Sequence, residues 1–177
     1  MGEEYNLDID EIKLLSKIIL LREVKVRLTS NIDRIETATT RIIGKKIGDE
    51  IKVPLWTALM LIDKGMATIP EEVLKKIMRN LWREEVQSKN SLGMIDKDIY
   101  PYIYLYIHFL KKSGEDGIRY GLDIDYIRRM INKRVDMIRR VGYIDTDILE
   151  ERLTLEEIIL LKKMKEVYDN WIKCVGL

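Results

Sequence analysis

The chain has little of what catalysis, metal binding and secretion draw on. Its 177 residues include one histidine, His108, and one cysteine, Cys174. A lone thiol has no intramolecular disulfide partner, which fits a reducing compartment and makes the cytoplasm the expected location. One His and one Cys cannot supply the usual N and S ligands of a structural zinc site. They also fall on different expected helices, and His108 sits in an apolar run, where a packed or surface histidine is the ordinary reading. The glycines are scattered, and none of their spacings matches a phosphate-cradling loop. Asp123 with Asp125, and Asp145 with Asp147, precede expected helices and read as caps and dipole partners rather than cation ligands. No catalytic, cofactor or metal residue is expected.

Charge of either sign is not in surplus. Lys plus Arg number 31 against 30 Asp plus Glu, and the balance holds in each part of the chain. Phosphate neutralisation supplies most of the affinity of a duplex-binding protein, so autonomous tight binding to nucleic acid is disfavoured. Long hydrophobic runs are missing too. The stretch Ile103 to Leu110 is too short to span a bilayer, and the acidic start MGEEYNLDIDE lacks the basic-then-apolar order of a signal peptide. No membrane role is expected.

What is present is apolar periodicity in a heavily charged chain, with 46% hydrophobic and 34% charged residues. The apolar set Ile12, Leu15, Ile18 and Ile19 predicts a short amphipathic helix after Asp8 to Glu11, ending near Leu21. Val24, Val26 and Leu28 then alternate with Lys25 and Arg27. Further β-branched segments lie at Thr37 to Ile43 and Glu50 to Val53, with turn signals at Gly44 and Gly48, so three or four short strands are expected. Pro54 opens a helix over Leu55 to Lys64 that Gly65 stops, and Met66 to Ile69 returns to an extended pattern.

From Pro70 onward the pattern is helical. Glu71 and Glu72 favour a helix start, followed by the stripe Leu74, Ile77, Leu81 and Trp82. Ser88 to Gly93 breaks it. Tyr100 to Leu110 alternates tyrosine with apolar residues as a strand would, but Lys111, Lys112 and Gly114 look like a helix end, and a mostly buried helix is the reading adopted. Ile124, Ile127, Ile131, Val135 and Ile138 mark one face of the next helix. Thr154 and Glu157 form a capping box, with Leu153 and Ile158 as a staple, before a last helix through Leu161, Met164, Tyr168, Trp171 and Val175. The expected fold is mainly α with a small α+β N-terminal domain: a short-stranded β unit over residues 1–69 and a helical bundle over 70–177.

Two clusters invite a binding role. Arg128, Arg129, Arg139 and Arg140 give the helix over 123–141 a partner-facing or nucleic-acid-facing character, as Arg134 does by its place in the same run. Tyr104, Tyr106, Tyr168 and Trp171 are candidate subunit-interface residues, because aromatics are enriched at interfaces.

The segment Ile51-Lys-Val-Pro-Leu-Trp-Thr-Ala-Leu-Met-Leu-Ile-Asp-Lys-Gly-Met-Ala-Thr-Ile69 is the most specific in the chain. A strand leading into Val53-Pro54-Leu55-Trp56, then a short apolar helix and a closing strand, resembles the signature of GINS subunits that carry their small β domain first. Tyr100-Pro101-Tyr102 opening a helix, an Arg-rich helix, and Leu153-Thr154-Leu155-Glu156-Glu157 opening the final helix follow in the family's order. In this setting Pro54 starts the helix, Trp56 is an anchor between domains, and Leu55, Leu59 and Ile62 form the buried face. The resemblance implies an archaeal-type, non-catalytic DNA replication scaffold. It would pair with a sister GINS subunit of reversed domain order as a 2:2 heterotetramer. It would bridge and activate the MCM replicative helicase together with a RecJ-like partner, the Cdc45-like protein of the family, with DNA contact weak or indirect. A nucleic-acid-binding regulator using the Arg-rich helix is the alternative.

Overall fold

The computed structural model describes residues 9–86, 92–114, 118–141 and 151–176. Along these the order is α1 (Ile9–Leu21), β1 (Glu23–Leu28), β2 (Ile32–Glu36), β3 (Arg41–Lys45), β4 (Glu50–Pro54), α2 (Leu55–Asp63), β5 (Ala67–Thr68), α3 (Glu71–Val86), α4 (Ile99–Ser113), α5 (Ile124–Val141) and α6 (Leu155–Cys174). The fold is mainly α, with a small antiparallel β part at its N-terminal end. The expected cap pair Asp145 and Asp147, most of the break over Ser88 to Gly93, and the side chain of Ile12 lie outside the described residues.

β1 is the centre of a three-stranded sheet in the order β4-β1-β5, with both pairings antiparallel. Its alternation has a direct physical outcome. Val24, Val26 and Leu28 turn inward and are buried, with Val24 opposite Val53 and Val26 opposite Ile51. Lys25 and Arg27 turn outward, where both engage Glu50.

β2 and β3 form a separate two-stranded hairpin. The expected strand over Thr37 to Ile43 is corrected here, because Thr37 to Thr40 are the turn. The Thr37 hydroxyl accepts from the Thr40 amide at 3.0 Å, and the Thr37 amide donates to the Thr40 carbonyl at 2.9 Å. Threonine hydroxyls that bond the local backbone compete with the ladder. β2 itself, rich in charge, is held by Arg34 and Arg41 on Glu36. Gly44 lies inside β3 rather than in a turn; the turn belongs to Gly48, whose φ is +89°.

Pro54 closes β4 and immediately precedes α2, with extended backbone. The left-handed Gly65, at φ +68°, stops α2 as its sequence position requires. α4 completes that stop. Lys112 donates to the Ile62 carbonyl at 2.6 Å and also to that of Asp63, and His108 Nε2 lies 2.8 Å from Asp63 Oδ1. A cation on exposed C-terminal carbonyls is favourable both as a donor and against the helix dipole.

Tyr100 to Leu110 is helical, within α4, and the face Ile99, Tyr102, Ile103, Tyr106 and Leu110 is buried. One apolar cluster therefore runs from Val24 and Val26 through Leu55 and Leu61 of α2, Ile77 of α3 and Leu105 of α4 to Ile127 of α5. It passes the expected 69/70 boundary without a gap. α1 contributes partly buried Ile19 and Leu20 to it. On α3, Leu74, Ile77 and Leu81 are buried as expected, but Trp82 is exposed.

A second, smaller cluster holds α6 to α5 through Leu92, Met137, Ile138, Leu153 and Leu161, with Ile158 packed on it. The capping box is complete. The Thr154 hydroxyl accepts from the Glu157 amide at 3.3 Å, and Glu157 Oε2 accepts from the Thr154 amide at 2.8 Å. Replacing Thr154 with Ala is expected to cost about 1 kcal/mol, which for a chain of this size is a fall of about 2–4 °C in Tm. An unchanged Tm in a calorimetric scan contradicts the cap.

Candidate interaction surface

Arg134 lies on the inner face of α5 and is only 3% exposed. Its guanidinium has five N–H groups, and all find acceptors. Nε and one Nη2 hydrogen engage the two oxygens of Glu157, the second contact at 3.1 Å. Nη1 reaches Glu84 at 2.7 Å and the Gly93 carbonyl at 2.8 Å, while Nη2 also reaches the Arg152 carbonyl at 3.0 Å. Full satisfaction is what makes a buried guanidinium tolerable. The pair of carboxylates holds Arg134 above the usual guanidinium range, against the opposing effect of burial. The arrangement ties α3, α5 and α6 together at one point.

Tyr100 of α4 joins the same centre, donating to Glu157 Oε1 at 2.8 Å. Burial, and then the Glu157 carboxylate, push its phenol well above the ordinary range, and Tyr126 is pushed up to about 12 by burial and its bond to Glu85. Both phenols stay neutral in the folded chain at pH values where unfolded tyrosine, with a pKa near 10, ionises. Their contribution is thus present in full below about pH 10 and is lost as pH rises beyond it. Urea midpoints measured from pH 9 to pH 11 are expected to fall, and to fall less steeply in Tyr100→Phe; identical slopes would refute the assignment.

Beyond this anchor α6 leaves the bundle. Arg134 meets Glu157, while Arg139 and Arg140, one to two turns later, line a groove with Lys163, Met164 and Val167. The two helices therefore run in the same sense, and α6 continues past the end of α5. Every residue from Glu166 to Trp171 is exposed. Val167, Tyr168, Trp171 and Val175 nonetheless form an apolar stripe at helical spacing, with the Tyr168 and Trp171 rings 6.3 Å apart. With Met164 and the basic pair from α5, Tyr168 and Trp171 line an open groove of about 820 Å³.

The sequence-derived candidates separate on this geometry. Tyr168 and Trp171 are 45% and 57% exposed and adjacent in the groove. Tyr104 is exposed on α4, away from them in sequence. Tyr106 is corrected: it is fully buried in the main core, and its hydroxyl accepts from the Arg119 amide at 3.2 Å. At the junction motif, Val53 and Leu55 are buried and Pro54 and Trp56 half-buried. The Trp56 indole N–H donates to Thr39 Oγ1 at 3.1 Å and so ties α2 to the β2–β3 turn. Leu59 is half-buried, while Ala58 and Leu61 join Leu55 and Ile62 in the buried face of α2.

The four surface arginines do not make one track. Arg128 pairs with Asp125 at 3.0 Å and Arg139 with Asp136 at 3.7 Å, and Arg129 stands over the Tyr126 ring. Arg128 and Arg139 share a stripe but lie about 16 Å apart along the axis. Asp123 acts as a cap, its Oδ1 accepting from the Tyr126 amide at 2.6 Å. Sequence reasoning missed the Arg134 centre altogether. The signal for it was spacing: Ile127, Ile131, Arg134 and Ile138 fall on one helical face.

Among the described residues no three His, Cys, Asp or Glu side chains gather as a metal site, and no helix is long and apolar enough to cross a membrane. No family model and no curated protein sequence matches the chain.

Proposed function

We propose that this chain is a non-catalytic scaffold subunit of a GINS-type assembly acting in DNA replication, located in the cytoplasm at the replication fork. It joins a sister subunit of reversed domain order in a 2:2 heterotetramer, and the tetramer bridges the MCM helicase to a RecJ-like partner. The observation that carries this reading is the Val53-Pro54-Leu55-Trp56 junction, where β4 becomes α2 and a small antiparallel sheet gives way to helices in the order the resemblance calls for. The exposed apolar stripe of α6 supports it, because an apolar helix face gains stability when a partner covers it. The engagement of His108 with Asp63 on the outside of α2 supports a structural histidine.

The test is assembly. Co-expressed with the sister subunit, the chain is expected to elute as a defined heterotetramer in light scattering, and a tagged copy in its source organism is expected to bring down the helicase. A chain that forms no complex, yet binds DNA alone with an affinity falling steeply with salt, is instead a nucleic-acid-binding regulator.

A further inference from the structure

We propose that the groove between the C-terminal turns of α5 and α6 receives an acidic amphipathic helix of a partner protein. This names the chemistry of the partner at the scaffold surface proposed above and rests on that reading for the partner's place in the assembly. The floor is apolar. Met164, Val167, Tyr168 and Trp171 fall at i, i+3, i+4 and i+7, the spacing that the apolar face of a second helix interdigitates with. From Met164 to Trp171 the stripe runs about 10 Å along the axis, and Val175 adds another turn. Two to three turns of a partner helix match that length.

The rim fixes the sign. Arg139, Arg140 and Lys163 line the groove, and no carboxylate does among the described residues. Arg139 and Lys163 each face an exposed carboxylate three residues away on their own helix, Asp136 and Glu166. The Arg139 pair, with both side chains in solvent, is weak and exchanges readily for a better acceptor. Arg140 is exposed, and its planar fork is suited to a bidentate carboxylate. An occupant with an apolar face flanked by Glu or Asp satisfies both features at once.

Single-stranded nucleic acid fits less well. Nucleic acid stacks its bases on flat aromatic platforms along a cationic track, whereas here the aliphatic Met164 and Val167 share the floor with the two rings and make it the surface for an apolar helix face. A second copy of the chain is also a weaker match, since it would bring the same three cations toward their own kind.

The experiment uses the full chain and a labelled helical peptide of four turns, with leucines at i, i+3, i+4 and i+7 flanked by glutamates. A matched peptide with lysines in place of the glutamates and a labelled oligothymidine are the competing probes. The acidic peptide is expected to bind, the lysine peptide to bind at least about tenfold more weakly, and Trp171→Ala and Arg140→Glu each to weaken the acidic peptide by about tenfold or more. Both variants should melt within about 2 °C of the parent, because the replaced side chains are exposed. No binding of the acidic peptide, equal binding of the two peptides, or indifference to both variants overturns the proposal. So does oligothymidine binding, or self-association, that these same variants abolish. Helicase recovery by the tagged chain is scored separately. If helicase is recovered and no acidic peptide binds, the scaffold reading stands and the groove proposal falls; the reverse outcome keeps the groove and removes the scaffold.

Discussion

Arg134→Ala is expected to lower the stability of the chain by about 3–5 kcal/mol, the loss typical of removing one partner from a buried charge cluster. Glu84 and Glu157 stay in place, both all but fully buried, with the cation they share gone. The carbonyls of Gly93 and Arg152 lose their donor at the same time. For a chain of this length the fall in Tm is about 6–20 °C. The loss is one of uncompensated charge rather than of packing volume, so a second variant separates the two. Arg134→Met combined with Glu84→Leu and Glu157→Gln removes the charges together, keeps an acceptor for the Thr154 cap, and is expected to regain part of the loss. A single variant melting within about 2 °C of the parent, or a triple variant worse than the single, contradicts this account.

The second large effect belongs to Tyr106. Truncation to Ala at a fully buried aromatic in a continuous core costs about 3–5 kcal/mol, by lost transfer energy and the cavity left behind. Tyr106→Phe keeps the ring and leaves the Arg119 amide without its acceptor, a cost of about 1 kcal/mol. Tyr104→Ala, two residues away and 49% exposed, is expected to stay within about 0.5 kcal/mol of the parent. Denaturant melts of the three variants give the comparison. Equal losses at positions 104 and 106 would show that the two tyrosines share one environment, against the burial described.

That pair also shows what a single sequence carries. Tyr104 and Tyr106 look alike as residues, and choosing both as interface candidates followed from residue type. Their spacing held more. Tyr106 stands four residues from Tyr102 and three from Ile103, on the face that reaches Leu110, whereas Tyr104 points off that face. With Gly114 as the helix stop, the burial of one and the exposure of the other are both implied. Arg134 was similarly legible by position and masked by type, because an arginine on an apolar stripe is read with the surface until Glu84 and Glu157 are known to converge on it. The capping box, the alternation of β1 and the Gly65 stop were local, and local chemistry was enough for them.

What was not legible is the covering of each apolar face. The stripe of α6 is continuous in sequence from Leu161 to Val175, but burial falls on its beginning, with Leu161 in the core and Val167, Tyr168, Trp171 and Val175 exposed. Periodicity reveals that a face is apolar and says nothing of what sits on it. Trp56 shows the same limit. Its size marks it as an anchor, whereas the Thr39 hydroxyl that its indole N–H meets carries no signal in the sequence.

The way α4 finishes α2 bears on the order in which the molecule is made. β1, β4, β5 and α2 leave the ribosome well before Ile99 to Ser113, yet their core is closed by Leu105 and Tyr106, and the carbonyls ending α2 are met by Lys112. The nascent N-terminal part thus waits with its inner face open until α4 emerges, and slow translation between Ile69 and Ser113 prolongs the interval in which Val24, Val26 and Leu61 are offered to chaperones or to neighbouring chains.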